Sequence, residues 1–232
     1  LQSVGSYAFY NCRRLETITL PQTVTDFGGG ALMNCRALHT VVLRAAPNAP
    51  TCLQKLLGEH AGELDVRFEG ESPARLLFPA YTEELEDLSP AHIFQRRIHG
   101  AGYGYRQCFD ASVLSFRQYD LALTGLLERH DFSVAARVAA RRLAVPYALS
   151  DAARDAYLDC LRAHGGALLR ACAAAGESAA ISFLLSLGVL TAADVDAACD
   201  AAREKEQTAA LSVLLAATGK TSAKGRAKTF DL

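Results

Sequence analysis

The stretch HGAGYGYRQCFD, His99 to Asp110, gathers a histidine, a cysteine, two tyrosines, an arginine and an aspartate within one short run of the 232-residue chain. A thiol and an imidazole, Cys108 and His99, would make a nucleophile and its base if a carboxylate such as Asp110 or Asp120 oriented the ring. Such groups meet in space, so nearness along the chain is poor support for them. A lone cysteine is more often buried and inert. The competing reading is a packed, aromatic-rich loop, and it is the stronger of the two. An enzyme with a Cys-His nucleophile in the 99–120 region therefore stands only as an alternative, and no catalytic residue is assigned.

Other candidate chemistries are weighed in the same way. Arg129, Arg137, Arg141 and Arg142 cluster around one expected helix, and with Lys220, Lys224, Arg226 and Lys228 they would form a phosphate-binding stripe. Carboxylates elsewhere cancel that charge, leaving a formal net charge of -1. Nucleic-acid affinity rests on concentrated positive charge, so nucleic-acid binding through the Arg-rich helix near 129–142 is a second alternative and no nucleic-acid partner is expected. DFGGGAL, Asp26 to Leu32, lacks the Lys-Ser/Thr that a phosphate loop requires and reads as a turn. His39, His60, His92, His130 and His164 show no metal-ligand spacing, and the seven cysteines contain no CxxC. No metal and no cofactor are expected, and the thiols are read as reduced and buried. No apolar run reaches the roughly 18 residues of a membrane-spanning helix, so no membrane insertion is expected.

What must position these residues is a pair of internal repeats. Shifting the chain by 23 residues lays YNCRRL on MNCRAL. Ala8, Asn11, Cys12, Leu15, Ile18 and Leu20 then fall on Ala31, Asn34, Cys35, Leu38, Val41 and Leu43. The spacing suits one strand and one corner per turn of a solenoid. Strands around Thr17–Leu20 and Thr40–Leu43 would turn Ile18, Leu20, Val41 and Leu43 inward, and Thr17, Thr19, Thr40 and Val42 outward. Cys12 and Cys35 would stack in the core, with Asn11 and Asn34 tying the turn to the backbone. A third, degenerate copy over 45–70 keeps Leu56, Leu57, Leu64, Val66 and Phe68 on the beat, and places Asp65 and Arg67 on the outward face.

Gly5, Ala8, Phe9, Cys12, Leu15, Ile18, Leu20 and Pro21 carry a resemblance to the BspA-like leucine-rich repeats of bacteria. That resemblance covers about a fifth of the chain, and the second copy departs from it where Gly28-Gly29-Gly30 replaces Gly-Ser-Tyr. It implies a ligand-binding or surface-interaction module rather than a catalyst.

From Glu71 the composition shifts to Ala, Leu and Arg at a helical period. The run 69–94 reads as a linker and first helix, with Ser89-Pro90 as cap and first residue. Asp131 and Ser150 are placed at later helix starts. ESAAISFLLSLG recurs as QTAALSVLLAAT at an offset of 30, each preceded by an Ala-rich helix. That beat resembles ankyrin repeats, without their TPLH signature. The tail GKTSAKGRAKTFDL reads as flexible.

The fold class expected is thus α+β: a short leucine-rich-repeat solenoid, residues 1–72 and the last turns of a longer array, packed against an all-α, ankyrin-like domain, 73–218, with a basic tail, 219–232. The function expected is non-catalytic protein–protein interaction on curved repeat surfaces. The candidate face comprises Thr17, Thr19, Thr40, Val42, Asp65 and Arg67, and the partner is another protein. Reduced thiols without a signal-peptide pattern fit the cytoplasm, while the resemblance also allows the cell surface.

Overall fold

The structure is a computed structural model that describes residues 1–88 and 93–226. The chain divides into two compact units, Leu1–Val134 with Arg141–Ala153, and Ala135–Ala140 with Arg154 onward.

The first unit starts with the 23-residue repeat. Strand β1 (Ser3–Val4) leads through a corner to β2 (Thr17–Pro21), and β3 (Asp26–Phe27) and β4 (Thr40–Arg44) retrace that path. β3 lies parallel to β1 and β4 parallel to β2. Thr17 pairs with Thr40 and Leu20 with Leu43, the register that the sequence shift dictates. Ile18, Leu20, Val41 and Leu43 point inward and are buried, as alternation along a strand requires. The corners stack as well. The N–H groups of Tyr7, Phe9 and Asn11 donate to the carbonyls of Gly29, Ala31 and Met33 at 3.2, 2.9 and 3.0 Å.

Asn11 and Asn34 sit at φ 61° and 65°, a left-handed region that asparagine visits at low cost. Asn34 Nδ2 donates to Asn11 Oδ1 at 2.9 Å. The asparagines therefore bond to each other across turns, in place of the side-chain-to-backbone bonds that the sequence suggests. Cys35 is buried, and its thiol donates to the Phe9 carbonyl at 3.0 Å. Cys12 is exposed, which corrects the reading of two stacked core cysteines: among the described residues its turn has a neighbouring turn on one side only.

The degenerate third copy returns a strand to the sheet. Helix α1 (Leu53–Glu59) and strand β5 (Leu64–Phe68) follow β4, and β5 runs parallel to it with Asp65 beside Thr40. Leu53, Leu56, Leu57, Leu64, Val66 and Phe68 are buried.

Beyond residue 70 the helical reading is overturned. Strand β6 (Ala74–Phe78) runs antiparallel to β5, giving the sheet order β2-β4-β5-β6. β7 (Thr82–Leu88) and β8 (Ile93–His99) form a separate antiparallel pair. The apolar run of ARLLF is too short for its period to distinguish strand from helix. What decides is the row of main-chain donors and acceptors on the far side of β5, which must be paired. Ser89-Pro90, read as a helix start, lies outside the described residues.

Short elements follow: α2 (Gly102–Tyr105), β9 (Phe109–Asp110) paired with β10 (Val113–Leu114), α3 (Phe116–Leu121) and α4 (Leu123–Glu128). From them come two side chains that finish this end of the sheet. The fully buried Tyr119 hydroxyl accepts from the Leu77 N–H at 3.1 Å and donates to the Leu77 carbonyl at 2.6 Å. It thereby satisfies the outward main-chain pair of edge strand β6. Its ring meets Phe78 edge-on at 5.5 Å. Arg106, 4% exposed, donates to the carbonyls of Leu57, His60, Gly62, Pro79 and Gly102 and lies 4.8 Å over the Tyr81 ring. Burial draws its pKa down to about 10, which leaves it charged at neutral pH.

Helices α5 (Phe132–Ala144) and α6 (Asp151–Ala175) begin after Asp131 and Ser150, where the sequence placed helix starts; the Ala153 N–H donates to Ser150 Oγ at 3.2 Å, while Asp131 makes no side-chain capping bond. The Ala-rich ALLRACAAAG, read as a short separate helix, is instead the end of the 25-residue α6. In the second unit α7 (Ser178–Ser186), α8 (Ala192–Glu204) and α9 (Thr208–Arg226) complete the chain, and α9 packs against both α7 and α8. The offset of 30 is visible in the backbone. Gly176 and Glu206 both take positive φ, 75° and 55°. The next residues, Glu177 and Gln207, each donate back to the preceding helix, at Cys172 and Ala202, the bonding of a helix C-terminal cap. Residues 219–226, read as the start of a flexible tail, continue α9, while 227–232 lie outside the described residues.

Replacing Tyr119 by Phe leaves the Leu77 N–H and C=O unpaired in a dry site. Urea unfolding should show a loss of about 1–3 kcal/mol. An unchanged midpoint would mean that water reaches this edge.

Candidate functional site

Alternation on β2, β4, β5 and β6 assigns Thr17, Thr19, Thr40, Val42, Arg44, Asp65, Arg67, Arg75 and Leu77 to the outer face of the sheet. The six residues singled out from the sequence thus do share one face, but they are not equally available. Thr17 and Thr19 are exposed. Thr40 and Val42 are 6% and 7% exposed, which corrects their reading as open contact residues. β4 is flanked by strands on both sides, and the His39 ring nitrogen Nδ1 lies 2.9 Å from Thr40 Oγ1.

Asp65 is the hub of the face. Arg75 Nε bonds both its oxygens, at 2.8 and 3.1 Å, and Arg75 Nη2 also donates to Oδ2. Arg67 Nε approaches Oδ1 at 3.4 Å and Arg141 Nε approaches Oδ2 at 3.2 Å. Burial by itself would raise the Asp65 carboxyl. The hydrogen bonds and charge of Arg75, with the charges of Arg141 and Arg67, outweigh it and hold the pKa below the ordinary value. Sequence reasoning found Asp65 and Arg67, missed Arg75 and assigned Arg141 to a different cluster. Arg75 had a signal, since an arginine alternating with buried residues in ARLLF marks an outward strand position. Arg141 had none, because it reaches the sheet from α5.

The Arg-rich helix is not a free cationic stripe. Arg142 is fully buried, paired with Asp120 at 2.8 and 3.1 Å, bonded to the Tyr147 carbonyl at 2.7 Å and stacked on Phe116. Arg141 pairs with Asp65 through Nε, and Arg129 donates to the Gly100 carbonyl at 3.4 Å. Two of the four guanidiniums are thus committed to carboxylates of the first unit, which corrects the phosphate-binding reading. Lys228 lies outside the described residues.

The Cys-His nucleophile is not assembled either. Cys108 is buried and donates to the Gly104 carbonyl at 3.5 Å. Desolvation, with Asp120 nearby, pushes its thiol up to about 12, so it stays protonated at neutral pH. It lines a hollow of about 450 Å³ together with Ile98, Tyr103, Gln118 and Arg129, but His99 is not in that wall. His99 is half exposed and faces Glu84 at 3.4 Å. Asp120 is engaged by Arg142, and Asp110 accepts from Gln118 at 3.1 Å. Asp26 of the Gly-rich turn pairs with Lys55. Among the described residues no group of histidines, cysteines and carboxylates is placed to hold a metal, and no helix is long and apolar enough to cross a membrane. His92 lies outside the described residues.

A family model described as a BspA type leucine rich repeat region (6 copies) matches residues 1–49. No curated protein and no solved structure matches the chain.

Two outcomes test this account. A thiol reagent at neutral pH should modify one cysteine rapidly and the other six slowly, and Cys12→Ser should remove the fast phase; a second fast thiol would show that a buried cysteine is misplaced. Asp65 has a folded-state pKa below its unfolded value of 3.8. Its contribution to stability is therefore complete above that value and is lost as pH falls through the lower folded one. Urea midpoints of Asp65→Asn should be lower than wild type near neutrality, and the gap should close as the pH drops below that point. A gap of constant size would remove the charge from the explanation.

Proposed function

We propose that the chain is a non-catalytic protein-binding module whose contact surface is the outer strand face of the leucine-rich repeat. The 30-residue helix pairs are read as ankyrin-like. The observation that carries this reading is the exposed Thr17–Thr19 row on β2, separated from the Asp65 cluster by the covered Thr40 and Val42 of β4, on a sheet whose other face is filled with apolar core. The protonated, carbonyl-bonded Cys108 and the buried, Asp120-paired Arg142 weigh against the enzyme and nucleic-acid alternatives.

A photoreactive amino acid placed at position 19 should, on illumination in cells, yield covalent adducts with a discrete protein. The same group at position 162, on the exposed side of α6, should not. Absence of a discrete adduct at position 19, or the same adduct from both positions, would count against the strand face as a binding surface.

A further inference from the structure

The arginines around Asp65 outnumber their carboxylate. Three guanidiniums, Arg67, Arg75 and Arg141, converge on one aspartate whose side chain is only 12% exposed. Arg67 keeps 43% of its side-chain surface, Arg141 34% and Arg75 26%. Arg67 and Arg141 reach Asp65 through Nε. At the C-terminal ends of the strands Arg44 and Glu69 are both exposed and offset each other. The middle of the face thus carries an excess of two positive charges, on a chain whose formal net charge is -1.

Asp65 also does something for those arginines that free surface arginines lack. Long side chains lose rotamer freedom when a partner captures them. Here Asp65 holds Arg75 by three hydrogen bonds and draws in Arg67 and Arg141 by one Nε contact each, so a second carboxylate meets donors already gathered at one place. Guanidinium forks suit carboxylates in particular.

We infer that this face docks a carboxylate-rich segment of a partner protein, its glutamate or aspartate side chains seated on the outward edges of Arg67 and Arg141 while its backbone passes over the Thr17–Thr19 row. The inference rests on the strand face being a protein-binding surface and adds the chemistry of what it binds. A peptide fits better than a nucleic acid. The outward positions of the four strands carry no aromatic ring on which a base would stack, and Asp65 and Glu69 interrupt the run of positive charge that a phosphate backbone requires.

The test uses a labelled Glu-Thr repeat peptide, its Lys-Thr counterpart and oligothymidylate of equal length, titrated against the full chain by fluorescence anisotropy. The Glu-Thr peptide should bind, and weaken with added salt as exposed charge pairs do. Arg67→Glu should reduce its affinity at least about tenfold. Arg67→Ala, which removes the cation without adding a carboxylate, should cause a smaller loss and keeps the test alive if the first variant does not fold. Arg203→Glu on α8, with the same change in net charge, should leave the affinity within about twofold. The inference is overturned by equal binding of the Lys-Thr peptide, by Arg67 variants indistinguishable from wild type, or by no binding of the Glu-Thr peptide. Tighter binding of oligothymidylate would replace the protein partner with a nucleic acid. A discrete adduct from position 19 together with any of these outcomes would sink the acidic preference alone and leave the binding face standing.

Discussion

The corner at Asn11 and Asn34 is the constraint on which the repeat depends. Neighbouring strands in a sheet sit about 4.8 Å apart, so each turn must close its path within a fixed number of residues and return with its side chains in phase. A slip of one residue would put Ile18 and Leu20 in water and Thr17 and Thr19 in the core. The left-handed asparagines make that closure, and one side-chain bond joins them across the two turns. The third turn has no such asparagine. It closes instead through α1, which fills the interior with Leu53, Leu56 and Leu57 and still delivers β5 in phase.

A stack of strands has two ends, and the two ends of this sheet are treated differently. At β6 the chain reverses direction, Tyr119 takes up the outward main-chain pair and Arg106 gathers the carbonyls of the surrounding loops. At β2 the edge carries no neighbouring strand among the described residues. The outer face inherits this asymmetry. It is open and hydroxyl-lined at Thr17 and Thr19, and closed over by charge pairing where Arg141 meets Asp65. The face that supports a binding role is therefore a narrow surface beside an electrostatically fixed one, rather than a uniform row of outward side chains.

The 23-residue register, the inward set Ile18, Leu20, Val41 and Leu43, and the helix starts after Asp131 and Ser150 were legible because each rests on a local rule of spacing or capping. The 30-residue recurrence was legible for the same reason, and its backbone counterpart at Gly176 and Glu206 shows the rule operating even where the residue type changes. What could not be read was set by neighbours distant in sequence. ARLLF is a strand because β5 needed a partner. Thr40 and Val42 are covered because β4 is central. Cys12 is exposed because nothing among the described residues stacks on its outer side. Arg142 is buried because Asp120, Tyr147 and Phe116 meet around it. Of the candidate face, the shared side of the sheet was in the sequence, but the hub role of Asp65 was not, since two of its three arginines come from β6 and α5.

Arg106 has a consequence for how the chain is made. Its carbonyl partners at Leu57, His60 and Gly62 lie 49, 46 and 44 residues upstream, and Leu77 waits for a tyrosine 42 residues later. At synthesis rates of about 5–20 residues per second, the strands emerge with one end unfinished for about 2–10 s. During that interval the nascent segment presents parallel strands, an aliphatic interior and a row of unsatisfied main-chain groups. A chaperone that shields extended apolar segments at the ribosome would have its period of greatest use here, ending when the arginine and then the tyrosine arrive.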